Sequence, residues 1–221
     1  MPNYVFNSFT IEGLTKTQKE EIETAVKEEN LFNSIVPEPN WMEIPDENGD
    51  LPQEVKKDDF PHTFREFPNG VADDRWYKWR CDNWGCKWEA SDLYFGEDTK
   101  ENTVVVRFNT AWTPPSQFTT ALTKLYPAAK ITNVFIEEDA WFGGTLAIGG
   151  KALTWTFDKN KFAEKWLEEF HPECDFSDLY EDPDISDEWF DVQEIVITDH
   201  LDQQFKASET SLLMGSIIRS K

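Results

Sequence analysis

The sequence predicts an α+β fold built on an antiparallel sheet, and three patterns carry this prediction. Apolar residues alternate in segment 4–12 and form a β-branched run in segment 103–109, as is typical of strands. Two segments with apolar residues every three or four positions indicate helices between strands. The glycine pair at 149–150 separates two further apolar runs and favours a tight hairpin turn.

The N-terminal elements have clear signals. Apolar residues occupy odd positions of the strand 4–12, so one of its faces is predicted to be buried: Val5, Phe9 and Ile11. Segment 16–29 is predicted to be a helix, because Thr17 and Glu20 have capping-box spacing. The acidic, proline-containing stretch 33–74 that follows is too long for an ordinary connection. It is interpreted as a functional loop or a small insertion with short helical turns.

The same patterns predict further strands and helices in the rest of the chain. Further strands are predicted at 88–95, 103–109, 131–137, 141–148, 151–157 and 192–198, and further helices at 115–126, 159–170 and 208–218. The order β-α-β-β-α-β through residue 137 is the ferredoxin-like pattern, with the helices on one sheet face. We therefore expect a ferredoxin-like domain at 1–157, with its insertion at 33–74, and an acidic addition at 158–221 packed on the core.

The charge of the chain bounds its partners. Asp and Glu number 43 against 21 Lys and Arg, which gives a formal net charge of −22. Such a surface repels phosphate and membrane head groups and attracts basic proteins. No Lys or Arg occurs between Glu173 and Asp202. The acids of this acidic tail that are predicted to contact a partner are Asp175, Asp178, Glu181, Asp182, Asp184, Asp187, Glu188 and Asp191.

Composition also separates the chain from disordered and secreted classes. With 10 Trp, 17 Phe and 5 Tyr, the acidic surface is expected to cover a packed core. The first residues lack a basic region followed by an apolar one, and no apolar run approaches a membrane span. The 3 cysteines are typical of reduced thiols. We expect a protein of the cytosol.

Two motifs, NWGCKW at 83–88 and NTAWTPP at 109–115, combine polar side chains with large rings. This composition suits a pocket for a peptide, base or amide group. The predicted pocket residues are Asn83, Trp84, Lys87, Asn109, Thr110 and Trp112. The alternative is that turn chemistry and core filling explain the same residues.

A basic and aromatic run precedes these motifs: Arg75, Trp76, Lys78, Trp79 and Arg80. Stacking rings and cations could bind single-stranded nucleic acid, which ferredoxin-like sheets often do. Against this stands the repulsive field of the whole chain, which salt screens only in part. The favoured interpretation is that the cations pair with the neighbouring acids Asp73, Asp74 and Asp82.

Metal and catalytic sites have weak signals. The spacings of Cys81 with Cys86 and of His171 with Cys174 are marginal for zinc, so we predict free thiols and no metal or other cofactor. No phosphate loop or nucleophile motif directs catalysis. We expect no enzyme; an active site hidden from sequence would lie near the predicted pocket.

Five strings together resemble a known family: MPNYVFNSFTIEG, LFNSIVPEP, DNWGCKWEA, FNTAWTPP and FIEEDAWFGG. In order and spacing they are similar to the YubB ferredoxin-like family of phages and conjugative plasmids, over about residues 1–150. Tyr4 and Cys86 depart from that pattern, where Trp and Thr are usual. The resemblance implies the ferredoxin-like fold and an origin in a mobile element. It implies no chemistry, because the family's function is unassigned.

These observations favour a non-enzymatic inhibitor that binds a basic, nucleic-acid-binding host defence protein, such as a restriction or CRISPR effector. The acidic tail, and the acidic loop 38–59, would be the contact surface. An ordered array of carboxylates can imitate the regular charge of DNA. The alternative function is single-stranded nucleic-acid binding through segment 75–88.

Overall fold

The computed structural model describes residues 3–57, 63–97 and 99–219, with side chains through residue 204 except those of residues 180 and 202. The strands are β1 Tyr4–Glu12, β2 Gln53–Lys56, β3 Thr63–Glu66, β4 Ser91–Phe95, β5 Thr103–Ala111, β6 Lys130–Glu137, β7 Trp141–Ile148 and β8 Lys151–Asp158. The helices are α1 Lys16–Lys27, α2 Leu31–Ile35, α3 Arg75–Asn83, α4 Ser116–Leu125, α5 Lys159–Phe170, α6 Asp178–Glu181 and α7 Pro183–Arg219.

Six strands form one antiparallel sheet in the order β4-β5-β1-β6-β7-β8. The first four of these have the strand order of a ferredoxin-like sheet, in which the first strand lies at the centre. At that centre Phe9 stands opposite Val106 on one side and Asn133 on the other. The predicted antiparallel sheet and the ferredoxin-like fold are therefore confirmed.

Helices α1 and α4 pack on the same face of the sheet, as predicted. One core cluster contains Ile22 of α1, Phe118 of α4 and Phe9 and Val106 of the sheet. The burial of Phe9 follows from the alternation in β1, because every second side chain of a strand points to the same face, and Val106 stands opposite Phe9 on that face. The core is dominated by rings such as Phe32, which lies 4.6 Å from Phe118 between centroids.

Helix α7 covers part of the opposite face, and here the sequence prediction was wrong. Segment 192–198 was expected to be a strand, whereas it lies inside α7. Its apolar residues follow helical spacing when the flanking residues are included, since Trp189, Ile197 and Leu201 are buried on one side. Ile195, within the segment predicted as a strand, is 58% exposed. The expected terminal helix 208–218 is the end of the same helix.

Of three local predictions, the hairpin turn is confirmed, and the capping box and one strand boundary differ from the structure. The hairpin at Gly149 and Gly150 is confirmed, with φ of 56° and 79° that suit a primed turn. The capping box of α1 uses Thr15 and Gln18, not the predicted pair two residues later. The fourth strand begins at Ser91 rather than residue 88.

The insertion contains more structure than a loop. Segment 33–74 includes the end of α2, a short 3-10 turn at Trp41–Glu43 and the two-stranded sheet β2-β3. Its predicted short helical turns are thus accompanied by two strands. Within the described residues, no helix combines the length and the apolar character that crossing a membrane requires.

Candidate functional site

The acids of the tail lie on one side of α7. Asp184, Asp187, Glu188 and Asp191 follow the spacing i, i+3, i+4, i+7, which places them on one helical face. All four are exposed, and Glu194 continues the row with partial exposure. Together with the exposed Asp199, these residues form what we call the acidic stripe.

The remaining predicted contact acids lie just before α7. Asp175, Glu181 and Asp182 are exposed and Asp178 is partly buried. The Ser177 hydroxyl and amide donate to Asp175 at 2.6 Å and 2.7 Å, and these hydrogen bonds lower the pKa of that carboxyl. The backbone amides of α7 use Asp182 as a cap, at 3.0 Å from Asp184 N. These carboxylates are ordered by local backbone contacts.

The apolar side of the tail attaches it to the domain. Trp189 is 3% exposed and packs on Trp166 and Phe162, with ring centroids 5.3 Å and 5.7 Å away. Leu179 is also buried, and Phe190 lies 5.4 Å from the ring of Phe6 on the sheet.

Phe176, by contrast, is 36% exposed and does not anchor the tail, and the side chain of Tyr180 lies outside the described residues.

The six predicted pocket residues are not brought together as one site. Lys87 and Trp112 lie beside one another, and both line a cavity of about 530 Å³. Trp84 is instead 1% exposed in the core, where its indole N–H donates to the Val36 carbonyl at 2.9 Å. For Trp84 the alternative interpretation, core filling, is the one that the structure supports.

The three uncharged polar residues of the predicted pocket have structural partners. Asn109 donates to Asp92 at 3.1 Å, and the Asn83 amide donates to a carbonyl of its own helix. Thr110 is buried and accepts a hydrogen bond from Asn7 at 3.0 Å. These groups hold β5, α3 and β1 in place and do not line the cavity.

Aromatic rings surround the ammonium group of Lys87. Its Nζ lies 4.9 Å from the ring centroid of Trp88, 5.3 Å from Trp112, 5.8 Å from Tyr77 and 6.0 Å from Trp76. We call these five residues the Lys87 cage. The predicted pocket included Lys87 and Trp112 but not Tyr77 and Trp88, although Trp88 belongs to the same NWGCKW motif as Lys87.

The backbone at the cavity has an unusual conformation. Trp112 has φ of 63°, a left-handed conformation that is rare for a bulky side chain. Its amide donates to the Asn3 carbonyl at 2.9 Å, which helps to hold this conformation. Gly85, with φ of 91°, faces the start of α4, where a Cβ would come within 2.9 Å of Ser116 N. A glycine is therefore required at this position.

The cations of the basic and aromatic run are paired, as the favoured interpretation expected. The closest pairs are Arg75 with Asp73 at 2.7 Å, Lys78 with Asp82 at 2.5 Å and Arg80 with Glu38 at 2.6 Å. Arg75 also donates to the carbonyls of Trp41 and Pro45, so it ties the insertion to α3. Two of the expected acid partners are correct, and Glu38 takes the place of Asp74.

Glu89 and Cys86 have raised pKa values, which could indicate an active site, but burial in the fold accounts for both. Burial raises the pKa of Glu89, but its oxygens accept from the amides of Phe32 and Asn33 at 2.6 Å and 2.9 Å. It therefore caps α2 and is absent from the described lining of the cavity. Burial likewise raises the pKa of the Cys86 thiol, which disfavours a reactive thiolate.

The two spacings considered for zinc do not come together, since Cys81 and Cys86 lie at the cavity while His171 and Cys174 lie in the tail. All three cysteines are free thiols. Ligand atoms of His171, Glu173 and Cys174 lie within 4.8 Å of one another. Burial and the surrounding acids raise the pKa of Cys174, so its metal-binding thiolate form is disfavoured.

The fold and these surfaces define an α+β protein with a ferredoxin-like sheet and an acidic helical addition. Residues 83–177 match the model of a family described as a ferredoxin-like domain in Api92-like protein. The match covers less than half of the chain and supports the fold; it is not a match to the YubB family. A search of curated proteins found no match.

One solved structure is also similar, the protein Api92 from Yersinia pseudotuberculosis. The similarity extends over 38% of this chain and 29% of that chain, at 15% sequence identity and a TM-score of 0.32. The chain thus aligns with less than a third of the length of that protein. The ferredoxin-like fold rests on the family match and on the strand order described above.

Proposed function

We propose that this protein is a non-enzymatic interaction protein that binds a basic, nucleic-acid-binding protein through its acidic stripe. The observation that carries the proposal is the exposed row of carboxylates on α7, opposite a buried apolar face. No Lys or Arg occurs between Glu173 and Asp202 to neutralise this row. A negative surface of this kind steers a positively charged partner and accelerates association.

The spacing of the stripe supports a likeness to DNA. Six carboxylates follow α7 from Asp184 to Asp199, which at the rise of an α-helix is about one charge every 4–5 Å. Each strand of DNA carries one phosphate about every 3.4 Å. A protein surface that fits the phosphates of one strand could therefore meet several carboxylates of the stripe at once.

The biological setting is part of the same proposal. The resemblance to the YubB family suggests a protein of a phage or plasmid that acts in the cytoplasm of its host. A host defence protein that binds nucleic acid, such as a restriction or CRISPR effector, has the basic surface that the stripe requires. Inhibition would follow from occupation of the nucleic-acid site.

A charge-matched pair of variants tests this proposal. One variant changes Asp184, Asp187 and Asp191 to Asn; the other changes the exposed Glu28, Glu97 and Glu101, which lie elsewhere, to Gln. Each is used to recover proteins from a bacterial lysate at low salt, followed by mass spectrometry. We expect the wild-type protein and the second variant to recover nucleic-acid-binding proteins that added duplex DNA displaces, and the first variant to lose them.

Two results would contradict the proposal. The first is recovery of the same proteins by the stripe variant, which would show that the stripe is only a solvated face. The second is recovery that added DNA does not change, since a DNA-like surface must compete with DNA. In either case the acidic loop 38–59 becomes the next candidate contact surface.

Single-stranded nucleic-acid binding is the second candidate, and the exposed rings beside Lys87 are the observation that favours it. The paired cations of α3 oppose it, because they are already used within the fold. Mobility shift with single-stranded DNA and RNA distinguishes the two functions. Binding at micromolar concentration, lost on changing Trp79 and Arg80 to Ala, would favour the nucleic-acid function over the acidic stripe.

A further inference from the structure

The Lys87 cage holds a cation of its own chain against ring faces. The Nζ atom of Lys87 lies between 4.9 Å and 6.0 Å from four ring centroids. Within the described residues Lys87 forms no ion pair, whereas the neighbouring Lys78 and Arg80 each do. Ring faces attract cations electrostatically. The structure therefore already shows which kind of group this surface accepts.

The cage is open and has room for a second group. The exposed fractions of Tyr77, Trp88 and Trp112 are 48%, 38% and 45%, large values for aromatic side chains. Tyr77 and Trp112 line the cavity of about 530 Å³ together with Gly85 and Thr113, and the Trp88 ring lies 5.1 Å from that of Trp112. An exposed group of large apolar side chains around a cavity marks a site of interaction.

The conformation of Trp112 supports a role for its ring outside the fold. A bulky residue at a φ of 63° is strained, and such strain is concentrated at functional sites. Burial of the ring does not explain it, since the residue is 45% exposed and its ring lies beside Trp88 and Lys87, at 5.1 Å and 5.3 Å. A glycine or asparagine would satisfy the same backbone at less cost.

Two kinds of ligand suit rings beside an ammonium group: a cation that replaces Lys87, or an aromatic anion that binds to it. The net charge of −22 favours the cation, because it concentrates cations near the surface and repels anions. Among protein cations, the arginine guanidinium is flat, weakly hydrated and stacks on ring faces better than an ammonium group does. Lys87 is only partly buried, and cation–π contacts that water still reaches are weak, so Lys87 is displaced readily.

We propose that the Lys87 cage binds an arginine side chain of the basic partner, with Lys87 as a displaceable internal occupant. The proposal rests on the proposed function for the source of the arginine. The cage chemistry is tested without the acidic stripe, so a failure of one does not decide the other.

The test is a titration with N-acetyl-arginine amide, followed by NMR of the indole N–H groups of Trp88 and Trp112. Adenosine monophosphate is the anionic comparison. Lys87→Met removes the competing cation and keeps the length of the stem. Lys78→Met, which removes the same charge from a paired lysine on α3, is the matched control.

We expect the arginine probe to shift both indole signals and to bind Lys87→Met about two- to fivefold more tightly than wild type, the gain from removing one partly exposed cation–π competitor. Lys78→Met should bind the probe as wild type does, which would show that the tighter binding comes from the cage and not from the change in net charge. Trp112→Gly accommodates the positive φ, and should keep the remaining spectrum while losing the binding.

Three outcomes would overturn the proposal. In the first, the probe does not bind. In the second, Lys87→Met binds it no more tightly than Lys78→Met does. In the third, adenosine monophosphate binds in place of the arginine probe and is lost in Lys87→Met, which would make Lys87 an anion-binding group and favour nucleic acid as the partner.

Discussion

The two charged segments of this protein differ in what the fold does with their charges. In the run 75–80 each cation has a carboxylate partner, and Arg75 also bridges to the insertion. In the acidic stripe the carboxylates are exposed, Glu194 only partly and Glu188 with an Oε2 atom 3.4 Å from His171 Nε2, while the opposite side of α7 packs on the sheet and on α5. The first segment uses charge for structure, and the second leaves it available for a partner.

This difference teaches that charge density in a sequence does not by itself identify a binding surface. Segment 75–88 looked suited to nucleic acid, yet its cations hold the protein together. Lys87 is distinct from its neighbours because it lies among rings instead of beside an acid. A charged group can bind a partner only if the fold has not already paired it with an opposite charge.

Among variants of the two segments, Trp189→Ala is expected to have the largest effect on stability. Trp189 is 3% exposed and attaches α7 to α5 and the sheet, so its removal leaves a cavity and loosens the acidic stripe. We expect the free energy of unfolding to fall by about 3–5 kcal/mol. Chemical denaturation followed by tryptophan fluorescence and circular dichroism measures it.

The control for that variant is Ile195→Ala on the same helix. Ile195 is 58% exposed within the acidic stripe, so its loss should change stability by about 0.5 kcal/mol or less. Equal effects of the two variants would contradict the division of α7 into a buried apolar face and an exposed acidic one.

An intermediate effect is expected from Asp73→Asn in the structural segment. Asp73 is 4% exposed and receives hydrogen bonds from Arg75, so the variant should lose about 1–3 kcal/mol. Asp74→Asn is the matched control, since Asp74 is exposed and makes no capping hydrogen bond within the described chain. A loss of the same size in both variants would show that the ion pair is not the cause.

The pH dependence of the same pair follows from its pKa. Burial alone would raise the pKa of Asp73, but the hydrogen bonds and charge of Arg75 outweigh it, so the pKa lies below its ordinary value. The carboxylate therefore stabilises the fold above pH about 4, and this contribution is lost as the pH falls through the lowered pKa. Asp73→Asn should lose less stability than wild type between pH 5 and pH about 2, measured by thermal unfolding. If the stability of Asp73→Asn and that of wild type changed with pH in the same way, the lowered pKa of Asp73 would be contradicted.

The parts of the fold that the sequence predicted are those where periodicity is local and strong. Strand β1 and helix α5 have the predicted bounds, because alternation and helical spacing are unambiguous there. Segment 192–198 failed because its apolar run is too short to separate the two periods without its flanking residues. The strands of the insertion were missed, since partly exposed short strands have little apolar pattern.

The candidate sites could be predicted only in part for a related reason. The exposure of the acidic stripe follows from composition, because carboxylates are rarely buried without partners. The Lys87 cage depends on Tyr77 of α3 and Trp112 after β5, which are distant in sequence and are brought together only by the fold. Trp84, in the same motif, points into the core instead, and no single-residue property separates it from Trp88.

The smallest effect on stability is expected from neutralising the acids of the tail. Changing Asp182, Asp184 and Asp187 to Asn and Glu188 to Gln removes four exposed charges. Exposed charges contribute little, so each change should alter stability by about 0.5 kcal/mol or less. Asn at position 182 retains the cap of α7, because it is as good an N-cap residue as Asp.

The direction of that small effect is itself informative. Relief of self-repulsion should make the variant slightly more stable than wild type at low salt, and the difference should vanish near 1 M salt, where screening shortens electrostatic range to about 3 Å. Thermal unfolding of both proteins across salt concentrations measures this. A variant less stable than wild type by more than about 2 kcal/mol would show that these carboxylates hold the tail on the domain, as Asp73 holds the insertion, and the contrast between the two charged segments would fail.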